Sequence, residues 1–400
     1  MSADSIKMDD STWVGFQSLN HGVRFNYTYS ELLSIIKRYP AKYTDLIWRI
    51  ALMVCGVAVR EGVNVTSEMV KPSENYVLNS RFIRLAGTIG NRRLSVRVVP
   101  EEMQSAYTGL NTNFILDDHC LYIEGVKVAE FSSFFVSDPI KSVAYITSNS
   151  KNETVLTINP NQVCLQDCVF CFKGYRHMTV DYKNSLSRLG VDQVCSFLKA
   201  EMPGIDYCSL VELMTLTGTF CSTVELLKYL CELRKGMLSV SNGKFDPARN
   251  DAQRLKISTH LLRTEDDMRI AKSHGVKRYS YPLEIFSDPL RKKLCKGSVV
   301  DGKGEVTFDE VFEQLGTASK VFGSNANEVL LVVGLDNFKD TKQGIERLSS
   351  LEGISITYNP FWAYFMDQIP LYQMSLEEIV DIIVGIEEGI GTSYVQKINF

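Results

Sequence analysis

No stretch of this sequence is both long enough and apolar enough to span a bilayer. The most apolar run, Leu46 to Val59, carries Arg49 inside it and falls short of the roughly 20 residues that a membrane helix needs. It reads instead as a buried helix. The first residues, Met1 to Asp10, lack the charged-then-apolar layout of a secretory leader. Net charge is equally scarce: 43 basic against 47 acidic side chains leave −4. Such a balance gives no electrostatic reason to expect nucleic acid or an anionic membrane as partner. The one basic cluster, Arg291-Lys292-Lys293 with Lys296, is too short to alter that. These absences favour a cytoplasmic protein, whose ten cysteines are then reduced thiols and not disulfides.

The cysteines are unevenly spread. Cys164-Leu-Gln-Asp-Cys168-Val-Phe-Cys171 places three of them within eight residues. Four would close a structural zinc site or an ordinary iron–sulfur cluster, whereas three leave one coordination position open. An open position is where a metal does chemistry. Cys195, Cys208, Cys221, Cys231 and Cys295 follow singly, with no second tight grouping and none after Cys295. One metal centre is therefore expected. Cys195, Cys208 and Cys231 lie in apolar segments and read as small core residues. Asp117-Asp118-His119-Cys120 has ligand residue types but reads as a polar turn, and His21 stands alone.

A chain of 400 residues exceeds one ordinary domain and suits an α/β barrel with an appendage. The hydrophobic fraction of 45% and charged fraction of 22% are those of a globular protein. Residues 1–150 read as a small α+β domain. Thr28 and Glu31 form a capping box ahead of one helix, Tyr43 to Val59 forms a second, and short strands follow around 82–85, 93–99, 120–123 and 128–131. Residues 151–400 settle into alternation. Strands are expected at 154–159, 209–216, 255–259, 277–285, 329–333 and 354–358, each followed by a helix. Ser222/Glu225, Thr307/Glu310 and Ser375/Glu378 mark three of the helix starts. Regular alternation predicts a parallel sheet with helices on its outer face, and loops gathered at the carboxyl ends of the strands to build the site. The cysteine triplet falls in the first of those loops.

Cys164-x3-Cys168-x-Phe170-Cys171 after the first strand of such a repeat resembles the radical S-adenosylmethionine (radical SAM) superfamily. The resemblance covers roughly residues 150–390 and implies a partial (β/α)6 TIM-like barrel with an N-terminal α+β accessory domain. It implies a [4Fe–4S] cluster held by Cys164, Cys168 and Cys171, with S-adenosylmethionine on the remaining iron. Further segments are similar in the expected order. Thr215-Leu-Thr217-Gly218-Thr219-Phe220 stands where the superfamily has a Gly-Gly-Glu-like turn, although it keeps one glycine and lacks the acid. Glu284 ends the fourth-strand motif, with Arg291 in the helical segment after it. Val333-Gly334 resembles the fifth-strand motif, and Asn359 lies in the sixth. With Phe170, these residues are the implied cofactor contacts.

The resemblance further implies hydrogen abstraction from a substrate by a 5′-deoxyadenosyl radical, supplied with electrons by a flavodoxin- or ferredoxin-type donor. Selectivity in such chemistry comes from geometry in a closed, mostly apolar cavity. Position near strand ends or the cysteine loop makes His260, Asn337, Trp362, Tyr364, Arg176 and His177 candidate substrate contacts, and Cys221 and Cys295 candidate hydrogen-returning thiols. A small-molecule biosynthetic substrate is expected. Two alternatives stay open: action on a peptide or protein, and a non-catalytic protein that binds zinc or an iron–sulfur cluster for interaction.

Overall fold

The computed structural model describes residues 26–60, 82–89, 92–98, 112–137, 144–148, 153–158, 166, 168, 170, 189–216, 220, 222–295, 302–361 and 374–389. Two sheets organise them. The first has six strands in the order β1-β4-β5-β6-β2-β3, formed by β1 (Ala58–Val59), β2 (Phe82–Ile89), β3 (Arg92–Val98), β4 (Phe114–Asp117), β5 (Cys120–Ile123) and β6 (Val126–Ser137). All its pairings are antiparallel except β1 with β4. Helices α1 (Tyr29–Lys37) and α2 (Thr44–Cys55) precede it. Thr28 caps α1 through the full box, its hydroxyl accepting from the Glu31 amide at 3.2 Å. The second helix stops short of the expected Val59 because Gly56 takes φ 72°, a left-handed C-cap that releases the chain into β1.

The second sheet carries β7 (Ala144–Ser148), β8 (Thr154–Ile158), β9 (Leu210–Leu216), β10 (Arg254–Ser258), β11 (Val276–Glu284), β12 (Asn327–Val333) and β13 (Ile354–Pro360) in sequential order. From β8 to β13 every pairing is parallel, and β7 adds one antiparallel edge. Helices fill the crossovers: α3 (Val191–Glu201), α4 (Thr223–Val240), α5 (Glu265–Ser273), α6 (Asp288–Leu294), α7 (Phe308–Phe322) and α8 (Phe338–Ser349), with α9 (Leu376–Gly389) after β13. Sequential order among six parallel strands is the arrangement of a barrel wall, since a doubly wound sheet reverses direction partway. The expected partial (β/α)6 barrel is thus present. The edge strand β7 lies on the N-terminal side of residue 151 and belongs to this second sheet. Tyr27, ahead of α1, links this segment to α9: its hydroxyl donates to Glu377 at 3.1 Å and accepts from the Leu376 amide at 3.2 Å.

The two faces of the barrel sheet differ in chemistry. Tyr279 faces the helices, where its hydroxyl accepts from Gln314 of α7 at 2.9 Å. Strand alternation therefore turns Arg278 and Ser280 to the other face. There the early positions of four strands meet. Arg278 lies 3.3 Å from Glu212 and 3.4 Å from Glu328, Arg254 is 2.6 Å from Glu212, and Lys256 is 2.6 Å from Glu328. Burial alone would push the Glu212 carboxyl up, yet Arg278, Lys256 and Arg254 hold it below the usual range. This ionic layer lies at the amino end of the barrel. Buried charges are tolerated only when paired, and these are paired across strands.

Candidate metal centre

Chemistry gathers at the opposite, carboxyl end. Cys168 lies in the loop between β8 and α3, Glu284 ends β11, and Cys295 follows α6. The Sγ atoms of the two cysteines and a carboxylate oxygen of Glu284 all lie within 4.8 Å of one another. Both thiols are buried. Glu284 adopts φ 64°, a left-handed conformation that a non-glycine residue takes at a cost of about 1–3 kcal/mol. The strand pairing slips between Tyr281 and Glu284, so the end of β11 turns its carboxylate toward the cysteine loop.

Lys303 completes the group. Its side chain is buried, and its ammonium pairs with Glu284 Oε2. Its backbone amide donates to Gln166 Oε1, inside the cysteine triplet, at 2.8 Å. The segment around Lys303 lies tight against α6: a Cβ on Gly304 would come 2.6 Å from the Cys295 carbonyl oxygen and 3.2 Å from Lys292 Cα. Only glycine allows that approach. The charges respond to one another. The hydrogen bond from Cys295 pulls the Cys168 thiol down against burial, with Lys303 assisting, and the same bond together with burial pushes Cys295 up. Burial works against the Lys303 charge, but Cys168, Glu284 and Cys295 around it raise its pKa well above the ordinary lysine value.

The other residues singled out in the sequence fall in several environments. Phe170, within the cysteine triplet, is buried. Arg291 is almost fully enclosed, its guanidinium bonding the Val306 carbonyl at 3.1 Å, the Ile285 carbonyl at 2.8 Å, and Asp288. Its donors hold the β11–α6 turn together. Asn337 caps α8, accepting from the Asp340 amide at 2.9 Å. His260 is buried just past the end of β10. Val333 ends β12, and Gly334 follows at φ 114°, a turn that leads to buried Asp336. Asn359 shares a register position with Val332 near the carboxyl end of β13. Cys164, Cys171, Arg176, His177, Thr217, Gly218, Thr219, Cys221, Trp362 and Tyr364 lie outside the described residues. Sequence reasoning missed Gln166 and Lys303. Nothing in their local pattern marks them; only the fold joins positions 166, 284, 295 and 303.

No protein-family model matches the sequence, and no curated protein does. Among solved structures the chain is similar to HydG, described as a maturase of the [FeFe]-hydrogenase, at 12% identity and TM-score 0.42, over 58% of this chain and 49% of that one. It is similar to SuiB of Streptococcus suis, solved bound to S-adenosylmethionine, at 12% identity and TM-score 0.37, over 58% and 46%. A third, OxsB, is described as a cobalamin-dependent S-adenosylmethionine radical enzyme and matches at 14% identity and TM-score 0.33, over 58% and 30%. The chain spans about half the length of the first two structures and under a third of OxsB. Among the described residues, no helix is long and apolar enough to cross a membrane.

Proposed function

We propose that the chain is a radical SAM enzyme with one [4Fe–4S] cluster held by Cys164, Cys168 and Cys171, and S-adenosylmethionine at the open position. The observation that carries this reading is the place of Cys168. The middle thiol of a Cys-x3-Cys-x2-Cys triplet is buried in the first carboxyl-end loop of six parallel strands, beside the acid that ends the fourth. The donor set suits such a group: a thiol drawn toward thiolate, with a buried ammonium at hand to offset anionic charge. When bound, cluster and cofactor together would supply hydrogen-abstraction chemistry, with one electron from an external donor consumed for each 5′-deoxyadenosyl radical.

The chain's own residues then bind, orient and exclude water. The paired charges of Glu212, Arg254, Lys256, Arg278 and Glu328 occupy the amino end of the sheet, and a substrate enters from the carboxyl end, where Cys168 lies. Lys303 and Glu284 supply fixed charges beside the centre. Gln166 and Asp336 fix the loops that carry it. Phe170, Glu284, Arg291, Val333, Gly334 and Asn359 are the described candidates for contacts to cofactor, and His260 and Asn337 for contacts to substrate. The target is a small molecule, a flavodoxin- or ferredoxin-type protein supplies the electron, and the abstraction starts a rearrangement, dehydrogenation, epimerisation, decarboxylation or bond formation.

Anaerobic reconstitution with iron and sulfide, followed by reduction and addition of S-adenosylmethionine, tests this. The expected result is an electron paramagnetic resonance signal that changes on cofactor addition, with reductant-dependent 5′-deoxyadenosine, both lost in Cys168→Ala. A colourless protein holding one zinc and forming no 5′-deoxyadenosine would establish the interaction-protein reading instead.

A further inference from the structure

Cys295 stands 127 positions beyond Cys168 in the sequence and outside the triplet, yet the two thiols and Glu284 crowd within 4.8 Å of one another. Thiolates bound to separate irons of a cube-shaped cluster stand farther apart than two thiolates on a single ion. Two sulfurs bonded at about 2.3 Å to one tetrahedral ion lie under 4 Å apart. The crowding therefore suits one ion and three donors.

Charge balance selects the ion's valence. In the closed pocket the Lys303 ammonium is matched by the Glu284 carboxylate. Ionising Cys168 and Cys295 as ligands adds two negative charges to a site where both sulfurs are buried. A divalent cation returns the sum to zero, whereas a monovalent or trivalent ion leaves a buried net charge. Softness selects the element: two thiolates favour zinc, iron(II) or cobalt(II) over magnesium or calcium. Glu284 can serve as third ligand while its Oε2 keeps the Lys303 ammonium, in the manner of metal-bound carboxylates that are themselves hydrogen-bonded.

We propose that Cys168, Cys295 and Glu284 form a binding site for one thiophilic divalent metal ion in the chain that carries no cluster. Binding forms two metal–sulfur bonds and one metal–oxygen bond and releases the thiol protons to solvent, with no change of oxidation state. The site uses a thiol from outside the triplet, and its occupation competes with cluster assembly for Cys168.

Cobalt(II) is the probe, added anaerobically to iron-free full-length chain carrying Cys164→Ala and Cys171→Ala. Sulfur-to-cobalt charge-transfer absorption saturating at one equivalent is expected. It should be displaced by zinc but not by magnesium, and weakened at least tenfold by adding Cys295→Ser or Glu284→Gln. Saturation unaffected by Cys295→Ser overturns the inference, as does an absence of binding in a chain whose circular dichroism matches wild type. Wild-type crystals soaked in zinc give an independent reading if the double variant fails to fold. An anomalous peak between Cys168, Cys295 and Glu284 supports the site, while a peak elsewhere or none overturns it. Formation of 5′-deoxyadenosine by reconstituted wild type does not enter either test, so this site and the proposed enzyme activity fail or stand separately.

Discussion

The backbone amide of Lys303 donates to the side-chain oxygen of Gln166 at 2.8 Å, a link across 137 residues of sequence. It holds the cysteine loop against the segment that follows α6, and so holds Cys168 near Cys295. Both partners are buried. Gln166→Ala leaves a buried amide without an acceptor, a loss of about 1–3 kcal/mol. Urea unfolding of the purified chain should show a lowered midpoint with unchanged slope. Iron retained after reconstitution should fall with it, because the loop that carries Cys168 is released. Unchanged iron content and midpoint would mean that the loop is held by other contacts.

Lys303 makes a sharper case, because its charge and its position can be separated. Its ammonium pairs with Glu284 inside the fold, and removing one partner of a buried pair costs about 3–5 kcal/mol. Lys303→Met should destabilise on that scale and, after reconstitution, shift the cluster's reduction potential downward, since a nearby cation favours the more negative reduced state. Lys303→Arg keeps the charge and should restore most of the potential even where packing is imperfect. Redox titration followed by electron paramagnetic resonance reads the potential, and denaturation reads the loss of stability. A potential that ignores both substitutions would remove Lys303 from the electrostatics of the centre.

The barrel was legible in the sequence because its signals are local. Alternating apolar runs and capping pairs each act within a few residues, and Thr28/Glu31, Thr307/Glu310 and Ser375/Glu378 cap as their spacing predicts. Strand ends shift by a residue or two, as at β12, where Asn327 and Glu328 extend the apolar run because the ionic layer satisfies Glu328. The antiparallel edge β7 has no such signal. The site was only partly legible. The triplet is a local motif, but Gln166, Cys295 and Lys303 acquire meaning from distance in space. Arg291 is an implied cofactor contact by resemblance, and the bonds of its buried guanidinium to the carbonyls of Ile285 and Val306 have no local signal in the sequence. A sequence cannot report which of these uses a long cation will find.

At the amino end of the barrel, Arg278 bridges Glu212 and Glu328. Arg278→Met should cost about 1.5–3 kcal/mol, because each buried carboxylate loses one charged partner while Glu212 keeps Arg254 and Glu328 keeps Lys256. Glu212→Gln alone also removes the pair with Arg278, so the double variant should lose less than the sum of the two single losses. A double-mutant cycle in urea measures the coupling. Additive losses would show that Arg278 stabilises through its packed stem and not through its charge.

Asp336 offers a test in pH. It accepts from the backbone amides of Phe286 and, at 3.3 Å, Ser287, joining the turn after β12 to the turn after β11. Burial pushes its carboxyl up to about 6, against the pull of those two amides. A carboxyl raised in the folded state contributes its full stability below the unfolded value near 4, where both states are protonated. As pH rises, the unfolded chain ionises first, and stability declines until the folded carboxyl ionises as well, near 6. The decline amounts to about 3 kcal/mol for a shift of roughly two units. Asp336→Asn keeps an oxygen acceptor for one of the two amides and cannot ionise, so the difference in stability between variant and wild type should change by that amount between pH 4 and 6, in the variant's favour, and then level off. Urea midpoints taken at half-unit steps from pH 4 to 7.5 measure that difference directly. A constant difference across the range would assign the titration to another group, and a change in the wild type's favour would mean that the amides outweigh burial and hold the Asp336 carboxylate ionised.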